Sequence, residues 1–155
     1  MTTITIVLGL LRRRLVAVTV QGPSMAPAYR HGDRVLVVRT KVDRLRRGQV
    51  VVVERPRPDG SWRPRSSAAP PRWMIKRLAA LPGDPVPADL ATDATAVPPG
   101  MLVLLGDNEE SSYDSRQVGF FPAERLLGVA VRKMRSKPGT TTTLGIPDHY
   151  DRPAR

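Results

Sequence analysis

Short runs of aliphatic and β-branched residues, each bounded by Gly, Pro or Asp, recur along the chain after residue 14. This pattern is typical of β-strands. Six strands are predicted, at 15–20, 34–39, 48–54, 73–81, 101–107 and 127–134. The consecutive valines at 50–53 indicate a strand buried on both faces. Pro-Gly pairs at 82–83 and 99–100 predict tight turns, so the sequence predicts an all-β fold.

Two segments fit neither strands nor helices. Residues 55–72 are rich in Pro, Ser and Arg, which predicts a mobile loop between two strands. Residues 136–155 are predicted to form a flexible tail. A chain of 155 residues suffices for one domain with a sizeable core. We therefore assign the folded domain to residues 15–135.

The first 14 residues combine an apolar head, 1–11, with three consecutive arginines, 12–14. As a helix the head would span about 16 Å, whereas the hydrocarbon core of a bilayer is about 30 Å thick. Extending it to residue 20 would place the arginines in mid-bilayer, at about 2.5 to 3.5 kcal/mol each. A secretory signal is disfavoured because the charges follow the apolar run. Two interpretations remain: a segment in an anionic membrane interface, or a first core strand with a basic turn.

The chain carries 25 Lys and Arg against 14 Asp and Glu, a net charge of +11. This excess favours phosphate-bearing partners, either an anionic membrane surface or nucleic acid. Aromatic residues make up only 5% and no stacking platform for bases is present, so we expect no nucleic acid partner. The absence of cysteine excludes disulfides and thiolate metal sites. We expect neither a metal nor a cofactor.

The stretch QGPSMAP, residues 21–27, places Ser24 in a sharp bend. Pro23 fixes its own backbone, Gly22 removes a side chain beside the peptide, and Pro27 discourages a helix. This geometry exposes the serine hydroxyl. An isolated serine of this kind is usually a turn residue that bonds its own backbone. A reactive serine also requires a base.

Histidine is the usual base, but His31 lies in a predicted solvated turn and His149 in the predicted tail. A lysine serves only when neutral, and at pH 7 only about one free lysine in 2,500 is neutral. Lys76 lies in an apolar strand, on the same face as Met74 and Leu78. It is the lysine best placed to lose its water. Two other states are possible for this lysine. Its aliphatic chain could cross apolar surface so that the ammonium reaches water, or the ammonium could pair with a carboxylate.

Five motifs occur in one order along the chain: GPSMAP at 22–27, GDRVLV at 32–37, GQVVVV at 48–53, IKRLAALPGD at 75–84 and GDNEESSYDSRQVGFFP at 106–122. Together they resemble the motifs of type I signal peptidases, over residues 18–132. The resemblance implies a membrane-associated serine endopeptidase on a mainly antiparallel β scaffold with partly closed, barrel-like sheets and long irregular loops. It also implies a Ser-Lys dyad, with Ser24 as nucleophile and Lys76 as general base, acting through an acyl-enzyme.

The resemblance assigns supporting roles to the last motif. Ser112 would hydrogen-bond and orient the lysine, an ion pair would brace the site, and a turn would support it. The ion pair is Asp114 with Arg116, and the turn is Gly106, Asp107 and Asn108. From the spacing alone, Asp114 and Arg116 are predicted to share a strand face. An ordinary surface pair of this kind contributes at most about 1 kcal/mol.

The implied substrate is a precursor polypeptide with small residues at the first and third positions before the cut. It would bind as an added strand, so that its backbone supplies affinity and shallow pockets select its side chains. The expected binding residues precede or flank the two catalytic ones: Val20, Gln21, Gly22, Met25, Met74 and Ile75. The alternative for these residues is plain core packing.

Three features depart from the usual family pattern. Gly22 stands where many bacterial members carry a serine whose hydroxyl completes the oxyanion hole. Glu109 and Glu110 occupy a stretch that is often basic, and GFF at 119–121 replaces Gly-x-Val. The interval between Lys76 and Gly106 is too short for the large extra domain of some bacterial members. The chain therefore resembles short members, such as mitochondrial inner-membrane peptidases and proteases proposed to mature nickel superoxide dismutase.

A self-cleaving protease of the LexA type is the main enzymatic alternative, because it also uses Ser-Lys chemistry on a β fold. Such a protein normally adds a helix-turn-helix domain and a cleavable linker, and neither is visible in the sequence. The nucleic-acid-binding alternative would explain the net charge but leaves the five motifs without a reason. We therefore expect a protease that cleaves signal or leader peptides, with a dedicated maturation role favoured over general secretory processing. We expect it to be membrane-associated, peripheral or weakly anchored, with a cytoplasmic-face or soluble location as the alternatives.

Overall fold

A computed structural model describes residues 14–134. Seven antiparallel strands form one sheet in the order β1-β2-β7-β3-β4-β5-β6. The strands are β1 (Leu15–Thr19), β2 (Arg34–Val38), β3 (Val50–Glu54), β4 (Trp73–Ala80), β5 (Met101–Leu105), β6 (Phe121–Pro122) and β7 (Leu126–Met134). The predicted all-β, mainly antiparallel fold is confirmed. The predicted head and tail lie outside the described residues.

All six predicted strands are present, with ends that differ from the prediction by no more than two residues. The sequence pattern missed β6 and one helix, α1 (Ser115–Val118). It also missed three 3₁₀ turns, at Val42–Arg44, Glu109–Ser111 and Ala123–Arg125. Each missed element is two to four residues long, too short to show a hydrophobic period.

Three shifts of strand register curl the sheet into a half-barrel. The shifts lie between Leu36 and Val37, between Val52 and Val53, and between Leu78 and Ala80. An extra residue on one strand bends it and increases the local twist. Gly128 of β7 pairs with Val52 at the second shift. The end of β2 approaches it so closely that a Cβ on Gly128 would clash with the Val38 carbonyl oxygen. The partly closed sheet implied by the family resemblance is thus confirmed.

The central strand β3 separates two hydrophobic clusters. Its five residues are all buried, as the run of valines predicted. Val50 and Val52 face a cluster formed with β1, β2 and the buried Met25. Val51 and Val53 face a second cluster that includes Leu78, Leu102, Leu104 and Phe121. Lys76 pairs with Val51 across the β3–β4 ladder and therefore shares the face of the second cluster.

The predicted Pro-Gly turns are also present. At 81–84 the Asp84 N–H donates to the Leu81 carbonyl at 3.0 Å, and Gly83 has a φ of +84°. This is the left-handed conformation that a type II turn requires at its third residue. At 98–101 the Met101 N–H donates to the Pro98 carbonyl at 3.1 Å. These turns end β4 and begin β5.

Residues 55–72 contain no helix or strand, as predicted, while their mobility stays a prediction. The loop is joined to the sheet through Glu54, which is 5% exposed. Its two carboxylate oxygens accept from Nε of Arg63 and Nη1 of Arg125, both at 3.0 Å. Trp62 of the loop packs edge-on against Phe121, with ring centroids 5.8 Å apart. No helix within residues 14–134 has the length and apolarity needed to cross a bilayer.

Glu54→Ala is expected to lower the free energy of unfolding by about 3 kcal/mol, because it leaves two largely buried arginines without their shared carboxylate. The matched control is Glu124→Ala, whose carboxylate also pairs with Arg125 but is 60% exposed. Loss of that exposed pair is expected to change stability by less than about 1 kcal/mol. Denaturant unfolding of both variants measures the difference. Equal losses would contradict the anchoring role of Glu54.

Candidate active site

Ser24 lies in the loop between β1 and β2, whose ends are held together by backbone hydrogen bonds. The Val20 N–H donates to the Asp33 carbonyl at 2.8 Å, and the Gly32 N–H donates to the Val20 carbonyl at 2.9 Å. Within the loop, Met25 is fully buried while Ser24 is half-buried. The methionine therefore anchors the bend in the core, and Ser24 remains accessible.

Gly22 has a φ of +77°, a backbone conformation that glycine adopts without strain. Its N–H donates to Nδ1 of His31 at 3.2 Å, so this histidine closes the loop. A Cβ added at Gly22 would meet no atom within 4 Å. A serine here would therefore have room, but its backbone would be strained. The bend itself accounts for the glycine at this position.

Lys76 is buried in the middle of β4, at 3% exposure. Within residues 14–134 no carboxylate oxygen lies within 4.0 Å of its amine. Neither alternative for a strand lysine holds, since the amine is not paired and does not extend freely into water. Burial lowers the pKa of Lys76 from 10.5 to about 8, and the charge of Asp114 limits this fall. About a tenth of the amine is therefore neutral at pH 7.

Asp114 is fully buried and collects three donors on one oxygen, Oδ2. The Ser112 hydroxyl donates to it at 2.6 Å, the Gly106 N–H at 2.8 Å and Nη2 of Arg116 at 2.8 Å. Burial alone would raise the pKa of Asp114, but these hydrogen bonds outweigh burial and hold the pKa below its usual value. Asp114 is thus a fixed negative charge near Lys76.

The prediction that Asp114 and Arg116 share a strand face is wrong. Asp114 caps the N-terminus of α1, where its Oδ1 accepts from the Arg116 N–H at 3.1 Å. Its own N–H donates to Oε1 of Gln117 at 2.9 Å, which completes a capping box. The ion pair is nevertheless present and is no ordinary surface pair, because the two side chains are 0% and 13% exposed. The D-x-x-Q spacing was the sequence signal for this cap.

Gly106 lies close to the backbone of both candidate catalytic residues, Ser24 and Lys76. The β4–β5 register pairs Arg77 with Leu105, so its continuation by one residue places Gly106 beside Lys76. A Cβ on Gly106 would clash with the Ser112 side chain and lie 2.7 Å from the Ser24 carbonyl oxygen. Only a residue without a side chain fits this close approach.

The turn after β5 joins the strand of Lys76 to the loop of Ser24. Asp107 accepts two hydrogen bonds from the guanidinium of Arg77, both at 2.7 Å, and Arg77 also donates to the Gly48 carbonyl. Asn108 donates its N–H to the Ser24 carbonyl at 3.0 Å and its Nδ2 to the Pro23 carbonyl at 3.3 Å. Residues 106–108 therefore connect both candidate catalytic segments.

The structure does not bond the candidate catalytic side chains to one another. Among the described residues, no hydrogen bond joins Ser24 to Lys76, and the Ser112 hydroxyl donates to Asp114 instead of the lysine. The contact that the structure shows for the Ser112 hydroxyl is with Asp114, and its role in orienting the lysine stays a prediction. Within residues 14–134 no group of three or more His, Cys, Asp or Glu side chains could hold a metal.

A shallow groove of about 60 Å³ is lined mainly by residues that precede Ser24 and Lys76 in the sequence. One wall comes from β1 and the residues after it, the other from β4, and Val52 also lines it. The lining residues are Val18, Thr19, Gln21, Val52, Trp73, Met74 and Ile75. Gln21, Met74 and Ile75 were expected here. Val20 and Met25 instead belong to the core, at 3% and 0% exposure, and Gly22 is not among the lining residues.

Sequence reasoning missed Arg77, Arg55 and Tyr113. Arg77 adjoins Lys76, but nothing in its spacing indicates a partner 30 residues away. Arg55 begins the loop after β3, and its guanidinium lies 5.9 Å from the ring centroid of Tyr113. These contacts join segments that are distant in sequence, so only the folded chain shows them.

The sequence model of the family "Signal peptidase, peptidase S26" matches residues 1–91 and 87–134. The chain belongs to the signal peptidase family. The resemblance of its five motifs is thereby confirmed. Family membership places the half-buried Ser24 and the buried, unpaired Lys76 in a peptidase scaffold.

Individual relatives support the same assignment. A "Probable signal peptidase I-2" of Synechocystis is 30% identical over 131 residues, and a "Mitochondrial inner membrane protease subunit 1" of Mus musculus is 31% identical over 115 residues. Both alignments cover 69% of this chain, but only 57% and 61% of those relatives. The chain thus spans about three fifths of their length.

One relative shows that family membership alone does not establish activity. An "Inactive signal peptidase IA" of Staphylococcus aureus is 26% identical over 133 residues, covering 74% of this chain and 75% of that protein. Its name states that it is inactive. Activity of the present chain must therefore be inferred from its own residues.

Lys76→Met is expected to stabilise the protein at pH 7 by on the order of 3 kcal/mol, because it removes an amine whose protonated form is costly to bury. The folded-state pKa of about 8 lies below the ordinary 10.5. Between these values the unfolded chain binds more protons, so the wild type gains stability as pH rises. The advantage of Lys76→Met should therefore shrink from pH 8 to 10.5.

Thermal and denaturant unfolding at several pH values measures this effect. Lys41→Met is the matched control, because Lys41 is exposed and its loss should change stability little at any pH. A destabilised Lys76→Met at pH 7 would contradict the burial cost.

Proposed function

We propose that the chain is a serine endopeptidase of the signal peptidase type, with Ser24 as nucleophile and Lys76 as general base. The observation that carries this proposal is the amine of Lys76, which is buried, has no ion pair and has a pKa lowered to about 8. A lysine in this state costs stability, and general-base catalysis is a role that needs it. Gly106 lies beside Lys76 in the β4–β5 ladder and close to the Ser24 carbonyl oxygen, which supports the pairing of these two residues.

In the proposed reaction, Lys76 Nζ accepts the proton of the Ser24 hydroxyl while Oγ attacks the scissile carbonyl carbon. The tetrahedral intermediate then expels the amine of the C-terminal fragment, which takes the proton from Lys76. Lys76 Nζ then deprotonates a water molecule, which attacks the ester carbon. The bond to Ser24 Oγ breaks, Oγ takes the proton from Lys76, and the N-terminal fragment leaves with a free carboxyl group. The Ser24 N–H is the proposed donor to the oxyanion. Substrate binding would bring Oγ within hydrogen-bond distance of Nζ, since catalytic hydrogen bonds often tighten only in the complex.

The residues around the dyad are proposed to hold its geometry. Asn108 bonds the Ser24 carbonyl at 3.0 Å and so fixes the nucleophile from its backbone. Arg77 fixes Asp107 beside β4. Ser112 and Arg116 fix Asp114, whose charge stabilises the lysine ammonium formed during attack.

The proposed substrate is a precursor polypeptide with small side chains at the first and third positions before the cut. The groove of about 60 Å³ is lined mainly by apolar residues, which favours short apolar side chains. Its walls immediately precede Ser24 and Lys76 in sequence, so an extended peptide lying in the groove would present its next peptide bond to the dyad. Backbone hydrogen bonds to a neighbouring strand would supply the affinity.

Membrane association and a dedicated maturation role remain part of the proposal. The mouse relative is named as an inner membrane protease. The apolar head at 1–11 and the arginines at 12–14 favour contact with an anionic surface. Both segments lie outside the described residues, so this part of the proposal comes from the sequence alone.

A synthetic peptide with alanine at the first and third positions before the cut is expected to be cleaved by the purified protein. Ser24→Ala and Lys76→Ala should each lower kcat/KM by at least about a thousandfold while the fold persists, because each removes half of the dyad. Mass spectrometry of the products and circular dichroism of the variants provide the measurements. Matched controls are Ser111→Ala and Lys41→Ala, which alter exposed residues and should retain activity. Full activity in either dyad variant would sink the proposal.

The pH dependence is a separate prediction. Activity requires the neutral amine, so kcat/KM is expected to rise with pH through an apparent pKa of about 8 and then level off. A histidine base would instead give a rise near pH 6.5. Initial rates measured from pH 5.5 to 10 decide between the two, and a flat profile would argue against Lys76 as the base.

A further inference from the structure

Four charged side chains act on the amine of Lys76, and they come from three parts of the fold. Asp114 and Arg116 come from α1 and its cap, Asp107 from the turn after β5, and Arg55 from the end of β3. The two carboxylates favour the ammonium form, whereas the two guanidinium groups disfavour it. The protonation state of Lys76 therefore depends on which charges are already neutralised by partners.

Arg55 differs from the other three groups because its charge is not matched by a carboxylate. Arg116 lies 2.8 Å from Asp114, and Asp107 lies 2.7 Å from Arg77. Within residues 14–134 no carboxylate oxygen lies within 4.0 Å of the Arg55 guanidinium. The charge of Arg55 therefore remains available to act on its neighbours.

The β3–β4 ladder explains why Arg55 points toward the site. Val51 pairs with Lys76 and Val53 with Met74, and the Arg55 N–H continues the ladder by donating to the Arg72 carbonyl at 2.7 Å. Side chains two residues apart share a face of a strand. Arg55 therefore lies on the same face of the ladder as Lys76, four residue pairs further along.

Tyr113 holds the guanidinium in place. The Cζ atom of Arg55 lies 5.9 Å from the centroid of the Tyr113 ring, within the range of a cation–π contact. Tyr113 lies between Ser112 and Asp114 in the chain, so the ring belongs to the segment that surrounds Lys76. The ring attracts the cation without neutralising it, which a carboxylate partner would do.

We propose that Arg55 is a positioning residue for the Ser-Lys reaction: held over Tyr113, it adds to the effect of burial and increases the fraction of the Lys76 amine that is neutral. The inference rests on the proposed peptidase function. Asp114 favours the protonated form of Lys76, whereas burial favours the neutral amine. Arg55 opposes Asp114 with a charge that is fixed by packing.

The direct test is titration of Lys76 in the full chain, with lysine selectively labelled with ¹³C at Cε. The chain has four lysines, and the resonance of Lys76 is identified by its loss in Lys76→Met. In Arg55→Gln the pKa of Lys76 is expected to rise, because a nearby positive charge has been removed. Arg55→Lys keeps the charge and should restore most of the wild-type titration.

Arg72→Gln is the matched control. Arg72 lies opposite Arg55 at the same end of the hairpin and is exposed, but it is not among the charges that act on Lys76. Its loss removes the same charge from the same part of the fold, but because Arg72 is exposed to solvent the titration of Lys76 should shift clearly less than in Arg55→Gln. An equal shift in both variants would indicate a general effect of net charge and overturn the inference.

Peptide cleavage supplies the second measurement. Arg55→Gln should be about threefold or more less active at pH 7, corresponding to a shift of about half a pH unit, and should regain wild-type kcat/KM at high pH. An equal loss of activity at every pH would indicate a structural role and overturn the inference. An unchanged Lys76 titration in Arg55→Gln would also overturn it. A shifted titration in a protein that cleaves no peptide would support the effect of Arg55 on the protonation of Lys76 but contradict the proposed function.

Discussion

The burial of one amine, that of Lys76, is the constraint on which the site depends. Its position in β4 removes it from water. The negative charge with the largest effect on it, Asp114, accepts hydrogen bonds from Ser112, Gly106 and Arg116. An amine in this position is costly in its charged form and inexpensive in its neutral form. Burying this amine therefore lowers the free energy of unfolding, and no ion pair within the described residues compensates for that loss.

The turn at 106–108 connects the strand of Lys76 to the loop of Ser24. Gly106 permits a close approach of backbone and side chains that any Cβ would block. Asp107 fixes the turn to β4 through Arg77, and Asn108 fixes it to the backbone of Ser24. The loop of Ser24 is further tied to the core by Met25. One turn thus contacts two segments that are more than 50 residues apart in sequence. No hydrogen bond joins the two candidate catalytic side chains directly.

Arginine has several distinct roles in this basic chain. Arg63 and Arg125 share the buried carboxylate of Glu54 and join the loop at 55–72 to the sheet. Arg77 and Arg116 each hold one carboxylate near the site. Arg55 and Arg125 each lie over an aromatic ring. Among these five arginines, Arg55 is the one without a carboxylate partner in the described part of the chain. The planar, permanently charged guanidinium suits all three settings, so part of the net charge of +11 is structural and does not indicate a nucleic acid partner.

The sequence by itself determined six of the seven described strands and the Pro-Gly turns, because these follow from local periodicity and from the rigidity of Pro and Gly. It marked Ser24 and Lys76 as candidates, and the family resemblance joined them as a pair. The order of five motifs also determined the family. Only the tertiary structure decided the capping role of Asp114, the core positions of Val20 and Met25, and the contacts of Arg77 and Arg55. Those outcomes depend on register shifts and on the curl of the sheet, which bring distant segments together and leave no periodic trace in the sequence.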